Sequence, residues 1–181
     1  GGKIEAPSGT LLIPTFPASA AGIDLREMVL GSEGRLGILT EASVRITPLP
    51  ECEAFHALFF PDWERAENAV RAIAQARLPL SMLRLSNATE TLTTLTLAGH
   101  KTMVGLLQRY LAWRGCQDGK CLLLLGATGQ RAGVAAALRP ALAIARGGQG
   151  VHVGRALGEK WKQNRFRTVY LRNALWQNGY A

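Results

Sequence analysis

The sequence has no long uninterrupted hydrophobic run. Its most apolar stretch, CLLLLGA at residues 121–127, is far shorter than a membrane-spanning helix, which needs about 18–20 apolar residues. The first residues, GGKIEAPSG, contain no methionine, no basic leader and no apolar signal core. We therefore expect no membrane span and no secretion signal. Because the chain also starts inside a strand-like segment, we expect it to be a piece of a longer protein.

Metal-ligating and nucleophilic residues are few and are not spaced as ligands. The three cysteines, Cys52, Cys116 and Cys121, include one Cys-x4-Cys pair with no histidine beside it, which is not zinc spacing. The three histidines, at positions 56, 100 and 152, form neither a ligand pattern nor a catalytic triad. The sequence predicts no metal site, and it predicts the reduced thiols of a cytoplasmic protein.

Acidic residues are in the minority and are unevenly spread. The chain has 13 Asp and Glu against 21 Lys and Arg, a net charge of +8. Residues 1–50 contain five acids and four bases, whereas residues 51–181 contain eight acids and 17 bases. A basic segment of this kind is compatible with nucleic acid, an anionic membrane surface, an anionic small ligand or a solvated helix face. No nucleic-acid module signature accompanies it, so we predict no nucleic-acid partner.

The first fifty residues read as part of a domain. GGKIEA predicts a short strand, and the proline-rich PSGTLLIPTFPASAAG predicts a loop. Asp24 is placed to cap a short helix that ends near Gly31. Residues 38–46 alternate apolar and polar side chains, which predicts a half-buried strand. Pro48 and Pro50 then favour a domain boundary at about residues 48–53, so the predicted domains are residues 1–50 and 51–181.

Beyond that boundary, strands and helices alternate. AFHALFFP, SMLRLS and CLLLLGATG predict strands, and GVHVG predicts a short one. Helices are predicted from Asp62, from Asn87 and from Lys101, and over the aromatic and basic C-terminal segment. A further long helix is predicted from Gln130, with a kink at Pro140. This order favours an α+β or α/β module.

A permissive loop, SEGRLG, separates the short helix from the strand that follows it. Gly34 and Gly37 can adopt positive φ and leave no Cβ in the way of a partner. Successive N–H groups in such a turn can bind an anion or a carbonyl-rich ring. The loop is not the Gly-x-Gly-x-x-Gly fingerprint and opens no helix, so a nicotinamide site is not expected.

The longer stretch LGSEGRLGILTEASVRITPLPE resembles the end of the flavin-binding domain in FAD-dependent oxidases and transferases of the vanillyl-alcohol-oxidase type. Only Arg35 departs from the loop wording of that family, which has threonine there. PDWERAENAVRAIAQARLPLSMLRLSNATET resembles the start of the family's cap domain. The closing GRALGEKWKQNRFRTVYLRNALWQNGY resembles the branch of alkyldihydroxyacetonephosphate synthases.

The resemblance implies an α+β fold made of two parts. These are the C-terminal part of a PCMH-type FAD-binding domain and an α/β cap, or substrate, domain that is ferredoxin-like in part. It implies FAD as cofactor, held by backbone contacts from the loop and the start of the next strand. The implied cofactor-binding residues are Glu33, Gly34, Arg35, Leu36, Gly37, Ile38 and Leu39.

Two arginines are candidate substrate ligands. Arg172 matches the arginine that the synthase branch uses for its substrate phosphate, and a guanidinium presents a fork of donors to such an oxygen pair. The usual neighbouring aspartate is replaced by Asn173. Arg84 lies between apolar residues on a predicted strand and must reach a partner or the surface. For Arg84, a site role and a structural ion pair are both open.

The resemblance also implies what the protein does. Synthases of this branch exchange the acyl chain of acyl-dihydroxyacetone phosphate for a fatty alcohol in ether-lipid synthesis. A D-2-hydroxyacid dehydrogenase of the glycolate or D-lactate type is the alternative within the family, and a non-catalytic basic binding module is the alternative outside it. The catalytic tyrosine and the His-rich motif would lie outside this chain. We expect a phosphorylated, lipid-like substrate, and leave open a homodimer and a peripheral membrane contact of a cytoplasmic protein.

Overall fold

The chain forms two compact units. A computed structural model describes residues 1–17, 20–97, 101–166, 176–177 and 179. The first unit spans Gly1–Pro48 and the second spans Leu49–Ala181. Each unit is described by itself.

The first unit is a small antiparallel sheet with one short helix. Its strands are β1 (Gly2–Ala6), β2 (Gly9–Ile13) and β3 (Ile38–Ala42), in the order β2-β1-β3, and its helix is α1 (Leu25–Val29). Residues Gly9–Ile13 were predicted to belong to a loop, and this prediction was wrong, because they form strand β2. The prolines dominated that prediction, whereas Thr10 to Ile13 are strand formers that pair with β1 across a two-residue turn.

Asp24 starts α1, as predicted. Its carboxylate accepts a hydrogen bond from the Arg26 N–H at 2.9 Å and also binds the Arg26 guanidinium, with Nε at 3.0 Å from Oδ1. Arg26 Nη1 in turn donates to the Phe16 carbonyl at 2.7 Å. These hydrogen bonds with Arg26 lower the pKa of Asp24 to about 2. One residue pair therefore caps the helix and ties the preceding loop to it.

The second unit contains four strands and five helices among its described residues. Its first part comprises β4 (Cys52–Phe60), α2 (Trp63–Gln75), β5 (Met82–Ser86), α3 (Ala88–Leu97) and α4 (Lys101–Trp113). The remainder comprises β6 (Cys121–Gly129), α5 (Arg131–Gly147), β7 (Val151–His152) and α6 (Ala156–Asn164). The predicted strands and helices up to residue 152 are present here, and α5 continues across Pro140. Of the predicted C-terminal helix, the structure shows α6, which ends at Asn164, and most of the remainder lies outside the described residues.

The strand order in the second unit is β5-β6-β4-β7, and every neighbouring pair is antiparallel. The first and third strands in sequence are central, and the second and fourth lie at the edges. This is the ferredoxin-like arrangement. Helices α3 and α4 are inserted between its second and third strands, and α6 follows its fourth. The predicted α+β class with a ferredoxin-like part is confirmed.

Both faces of this sheet are covered. Alternate side chains of β4 and β6 point to opposite faces, so each strand contributes to two cores. On one face, Leu58, Leu123 and Leu125 pack with Ile73 of α2 and Leu138 of α5. The core on the other face consists of Ala57, Phe59, Cys116, Leu122, Leu124, Val151, Leu95 of α3 and Leu111 of α4. Because β4 and β6 are buried on both sides, their sequences are almost continuously apolar.

Candidate functional site

The glycine-containing loop between α1 and β3 has the unusual backbone that its sequence predicted. Glu33, Gly34 and Gly37 have positive φ values of 50°, 84° and 132°. Arg35 N donates to the Ser32 carbonyl at 3.0 Å, and Gly37 N donates to the Gly34 carbonyl at 3.3 Å. The loop is thus two successive tight turns and not an open coil.

Gly34 and Gly37 have different structural roles. A Cβ on Gly37 would lie 2.6 Å from the Glu5 carbonyl oxygen of β1, so this glycine allows the loop to pass close to the sheet. A Cβ on Gly34 would meet no atom within 4 Å. Gly34 therefore leaves a patch of backbone open to a partner.

Several amides of the loop are available to such a partner. Within the described part of the first unit, the N–H groups of Glu33, Gly34 and Leu36 donate to no protein acceptor. Exposed neighbouring amides in a turn form a concavity that binds anions and carbonyl oxygens. FAD offers both, on its pyrophosphate and on its flavin ring, so the loop fits the cofactor that the sequence implies.

A cavity of about 500 Å³ adjoins these amides. Its lining comprises Met28, Gly31, Ser32, Glu33, Arg35 and Leu36. The exposed Arg35 thus lines a cavity beside the free amides, where its guanidinium adds positive charge. Ile38 and Leu39, the last residues of the predicted cofactor-binding set, begin β3 and are exposed in this structure, as is the whole of that strand. The half-burial predicted for β3 from its alternating pattern is therefore not observed.

Arg84 lies in the middle of the edge strand β5. Its neighbours Leu83 and Leu85 pack into the core beneath α2 and α5, so Arg84 points to the opposite face. Its guanidinium forms an ion pair with Glu90 of α3, and about half of each side chain is exposed. The arginine has a partner and also reaches solvent. Arg172, the second predicted substrate ligand, lies outside the described residues.

Two histidines that sequence spacing did not connect are in contact. His56 of β4 and His152 of β7 lie on adjacent strands, with His56 Nδ1 3.0 Å from His152 Nε2. Arg146 Nη2 lies 3.0 Å from His152 Nδ1. An arginine can only donate, so His152 Nδ1 accepts and the proton of the neutral ring is on Nε2. That proton is donated to His56 Nδ1, which leaves the His56 proton on Nε2.

The environment of this pair favours neutral imidazoles. Burial, followed by the charges of His152 and Arg155, lowers the pKa of His56 to about 4. Burial and the charge of Arg146 also lower the pKa of His152. The two histidines are 96 residues apart and meet because β7 pairs with β4, so their contact could be found only from the order of the strands in the sheet.

Among the described residues, no three His, Cys, Asp or Glu side chains are grouped to hold a metal ion. No helix described in the structure is long and apolar enough to cross a bilayer.

Similarity to known proteins supports the cofactor and the branch. The alkyldihydroxyacetonephosphate synthase of Dictyostelium discoideum is 28% identical over 96% of this chain. A solved structure of an alkyldihydroxyacetonephosphate synthase superposes with a TM-score of 0.73 and 25% identity, again over 96% of this chain. A mitochondrial cytochrome-dependent D-lactate dehydrogenase of Arabidopsis thaliana is 31% identical over 46% of the chain. The chain spans 30% of the length of the Dictyostelium enzyme and 32% of the chain in the solved structure.

The family resemblance read from the sequence is confirmed by a match over the whole of the second unit. Residues 49–181 match the family described as FAD linked oxidases, C-terminal domain. The chain therefore belongs to the FAD linked oxidase family.

Proposed function

We propose that this chain is the flavin-adjacent and cap region of an alkyldihydroxyacetonephosphate synthase. The reaction exchanges the acyl group of acyl-dihydroxyacetone phosphate for a fatty alcohol. The bond from the dihydroxyacetone carbon to the acyl oxygen breaks, a bond to the alcohol oxygen forms, and a fatty acid leaves. The observation that supports this most is the extent of similarity: a synthase matches 96% of this chain, whereas the Arabidopsis dehydrogenase matches 46%.

The proposed domains follow the two units. Residues 1–50 would be the C-terminal part of an FAD-binding domain, and residues 51–181 the N-terminal part of a cap domain that covers the substrate. The substrate class is a phosphorylated, lipid-like small molecule. A homodimer and a cytoplasmic, membrane-peripheral location remain predictions.

The loop would hold FAD through its backbone. FAD supplies electron-accepting chemistry when bound. The free amides of Glu33, Gly34 and Leu36 would donate to cofactor oxygens, and Arg35 would add charge next to a phosphate. The cofactor-binding surface would extend from the loop through Gly37 into Ile38 and Leu39 of β3.

Replacement of Gly34 tests the loop. Gly34→Ala places a methyl group in open space, so its cost to folding is the positive φ alone, about 1 kcal/mol. In the full-length protein, we expect flavin content to fall much more than stability does. Gly22→Ala is the matched control, because Gly22 also has a positive φ, of 78°, and an open Cβ position but lies outside the loop. Equal flavin loss in the two variants would show that the loop has no specific contact with the cofactor.

Arg172 would bind the substrate phosphate, and Arg84 would add a second positive group near the substrate. Conversion of Arg172 to lysine keeps the charge but loses the forked donor geometry, and a hydrogen bond to a charged group contributes about 1.5–3 kcal/mol. Activity with a phosphorylated substrate should fall about ten- to a hundredfold while flavin content stays unchanged. Unaltered kinetics would contradict the phosphate role.

One experiment separates the two family reactions. The full-length protein with FAD is incubated with acyl-dihydroxyacetone phosphate and a radiolabelled fatty alcohol, and separately with D-lactate or glycolate while flavin absorbance is followed. We expect the label to appear in the ether product, and no net flavin reduction by either hydroxyacid. Bleaching of the flavin by a hydroxyacid without label exchange would instead identify a D-2-hydroxyacid dehydrogenase.

A further inference from the structure

Glu90, the ion-pair partner of Arg84, lies in the first turn of α3, and the backbone of this turn is tightly held. The Glu90 N–H donates to Asn87 Oδ1 at 2.8 Å, so Asn87 caps the helix. The N–H of Thr91 donates to the Asn87 carbonyl, also at 2.8 Å. Asn87 directly follows Ser86, the last residue of β5. The strand that contains Arg84 therefore continues directly into the cap that fixes Glu90.

Thr91 attaches the same turn to the sheet. Its side chain is fully buried. Its hydroxyl donates to the Ser86 carbonyl of β5 at 3.3 Å and accepts a hydrogen bond from the Leu122 N–H of β6 at 3.0 Å. Buried polar groups of this kind are normally satisfied, and here one hydroxyl satisfies two backbone groups. The first turn of α3 is thus connected to two neighbouring strands by contacts that all lie within the second unit.

Glu90 extends its carboxylate from this turn to Arg84. Its Oε1 accepts a hydrogen bond from Nη2 of the guanidinium. Within the described part of the chain, Nε and Nη1 of Arg84 donate to no protein acceptor. A guanidinium has five N–H donors in a planar fork, so the carboxylate fixes the orientation of the fork and leaves other donors for an anion.

The ion pair is too exposed to be explained by stability. About half of each side chain is accessible, and pairs as exposed as this one contribute little to folding. A free arginine side chain must lose rotamer freedom when a ligand binds, whereas one that a carboxylate already holds has lost it beforehand. Against this gain stands the repulsion between the carboxylate of Glu90 and an anionic ligand. Orientation and charge therefore have opposite effects, and an experiment can separate them.

We propose that Glu90 is a positioning residue, which orients the guanidinium of Arg84 toward the phosphate of the substrate. The inference rests on the proposed function, in which Arg84 lies near a phosphorylated substrate. Asn87 and Thr91 support the same role, because they fix the turn from which Glu90 reaches Arg84.

Two substitutions of Glu90 in the full-length protein with FAD separate orientation from charge. Glu90→Ala removes the charge and the acceptor, whereas Glu90→Gln removes the charge and keeps an acceptor oxygen. In the label-exchange assay, Glu90→Ala should lower kcat/KM for acyl-dihydroxyacetone phosphate about fivefold, because Arg84 regains rotamer freedom. Glu90→Gln should lower it by no more than about twofold, because the hydrogen bond to the guanidinium remains. The KM for the fatty alcohol and the flavin content should stay unchanged in both variants.

Two controls show whether the effect passes through Arg84. Glu67→Ala removes the carboxylate of a similarly exposed pair, with Arg71 on α2, and should leave the kinetic constants unchanged. In the Arg84→Gln background, Glu90→Ala should cause no further loss, because two residues that act through one contact have non-additive effects. A full additional loss in that background would mean that Glu90 does not act through Arg84.

The orientation of Arg84 can also be measured without substrate. NMR relaxation of the Arg84 Nε–H in the 181-residue chain should show restricted motion in the unaltered protein and in Glu90→Gln. The same N–H should move freely in Glu90→Ala. Circular dichroism should show that all three proteins are folded to the same extent.

Three results would overturn the proposal. Unaltered kcat/KM in Glu90→Ala would show that the contact does not serve the substrate. Equal improvement in Glu90→Ala and Glu90→Gln would make Glu90 a counter-charge only. Equal mobility of the Arg84 Nε–H with and without the carboxylate would show that Glu90 does not orient it. Failure of the proposed reaction is a separate result, since the unaltered enzyme would then transfer no label, while the mobility measurement would still decide the role of Glu90.

Discussion

At the scale of single residues, the hydrogen bonds of His56 and His152 determine the protonation state of the pair. Arg146 approaches His152 from α5, while Arg155 and Glu159 face His56 from the segment after β7. Protonation of either ring would place a positive charge beside Arg146 or Arg155 and would remove an acceptor nitrogen from the chain of hydrogen bonds. The folded protein therefore resists protonation at a pH where the unfolded chain accepts protons.

This pair should make the second unit less stable in mild acid. The folded pKa of His56, about 4, lies below its ordinary value of 6.5. Because the unfolded chain binds a proton first, stability is lost as the pH falls from about 6.5 to about 4 and changes no further below that. After a discount for its partial exposure, we expect the pKa shift of His56 to contribute on the order of 2 kcal/mol to this loss, and His152 to act in the same direction. Urea midpoints measured between pH 7 and pH 4 give the slope.

The double variant His56→Asn with His152→Asn should remove this part of the slope, because asparagine does not titrate. Gln75→Asn, at an exposed position of α2, is the control and should keep the slope of the unaltered chain. Carboxylates also titrate toward the lower end of this pH range. The contribution of the histidine pair is therefore the difference in slope between the double variant and the control variant. An identical slope in both would show that the pair titrates normally.

Arg84 has a predicted role in substrate binding and also forms an ion pair with Glu90, so the two roles must be separated by experiment. Surface pairs as exposed as Arg84 and Glu90 contribute about 0–1 kcal/mol. Arg84→Gln should therefore change stability by less than about 1 kcal/mol while lowering the activity of the full-length enzyme at least about tenfold. Arg71→Gln, which breaks the similarly exposed pair with Glu67, should change neither. If the two variants have the same activity, Arg84 is only an ion-pair partner.

At the scale of elements, the sequence was most informative where local signals agreed. Asp24 and Asp62 were identified as helix caps from their positions, and both carboxylates accept a backbone N–H in the structure. The strands β4 and β6 were recognisable because burial on both faces makes them continuously apolar. Strand β2 was missed because the prolines on either side of it, Pro7 and Pro14, indicated a loop, and pairing with β1 overrides that local preference.

The candidate site divides in the same way. The loop around Gly34 and Gly37 was predicted because positive φ requires particular residues at fixed positions. The contact between His56 and His152 was not predicted, since it depends on which strands are neighbours in the sheet. The ion pair of Arg84 with Glu90 was one of two open alternatives, because a sequence shows that a charge needs a partner but not which one.

The central pair β4 and β6 is sensitive to one glycine. Gly126 of β6 is opposite Phe55 of β4, and a Cβ at this position would overlap the Phe55 ring. Phe55 is 1% exposed and packs on Trp161 of α6 at a ring distance of 5.8 Å, so it has no space to move into. Gly126→Ala should destabilise the second unit by about 1–3 kcal/mol or more.

The matched control is Gly133→Ala in α5, where a Cβ meets nothing within 4 Å. There the same substitution should stabilise by about 0.5–1 kcal/mol, because alanine loses less backbone freedom than glycine in a helix. The two variants add the same methyl group, so opposite signs in urea unfolding would isolate the packing effect. A neutral Gly126→Ala variant would show that Phe55 can be displaced.

At the scale of the whole molecule, burial is unequal between the two units. Among the described residues of Gly1–Pro48, only Ile4 and Ile13 are buried hydrophobic residues. The first unit also exposes Leu12, Ile38, Leu39, Val44 and Ile46, each more than 50% accessible. The second unit contains all the other buried hydrophobic residues, arranged on both faces of its sheet. Since apolar burial is the main stabilising term in folding, the two units should differ in stability.

Hydrogen exchange on the 181-residue chain would measure that difference strand by strand. We expect amides of β1 and β3 to be protected at least about tenfold less than amides of β4 and β6, because a difference of about 1.4 kcal/mol in opening free energy already gives that factor. Strand β1 is the most informative comparison with β4, since each pairs with a strand on both sides and neither is an edge strand. Equal protection of β1 and β4 would mean that the first unit opens only with the second, and that its exposed apolar residues do not limit its stability. Lower protection confined to β1, β2 and β3 would instead assign the lower stability to the unit that contains the proposed cofactor loop.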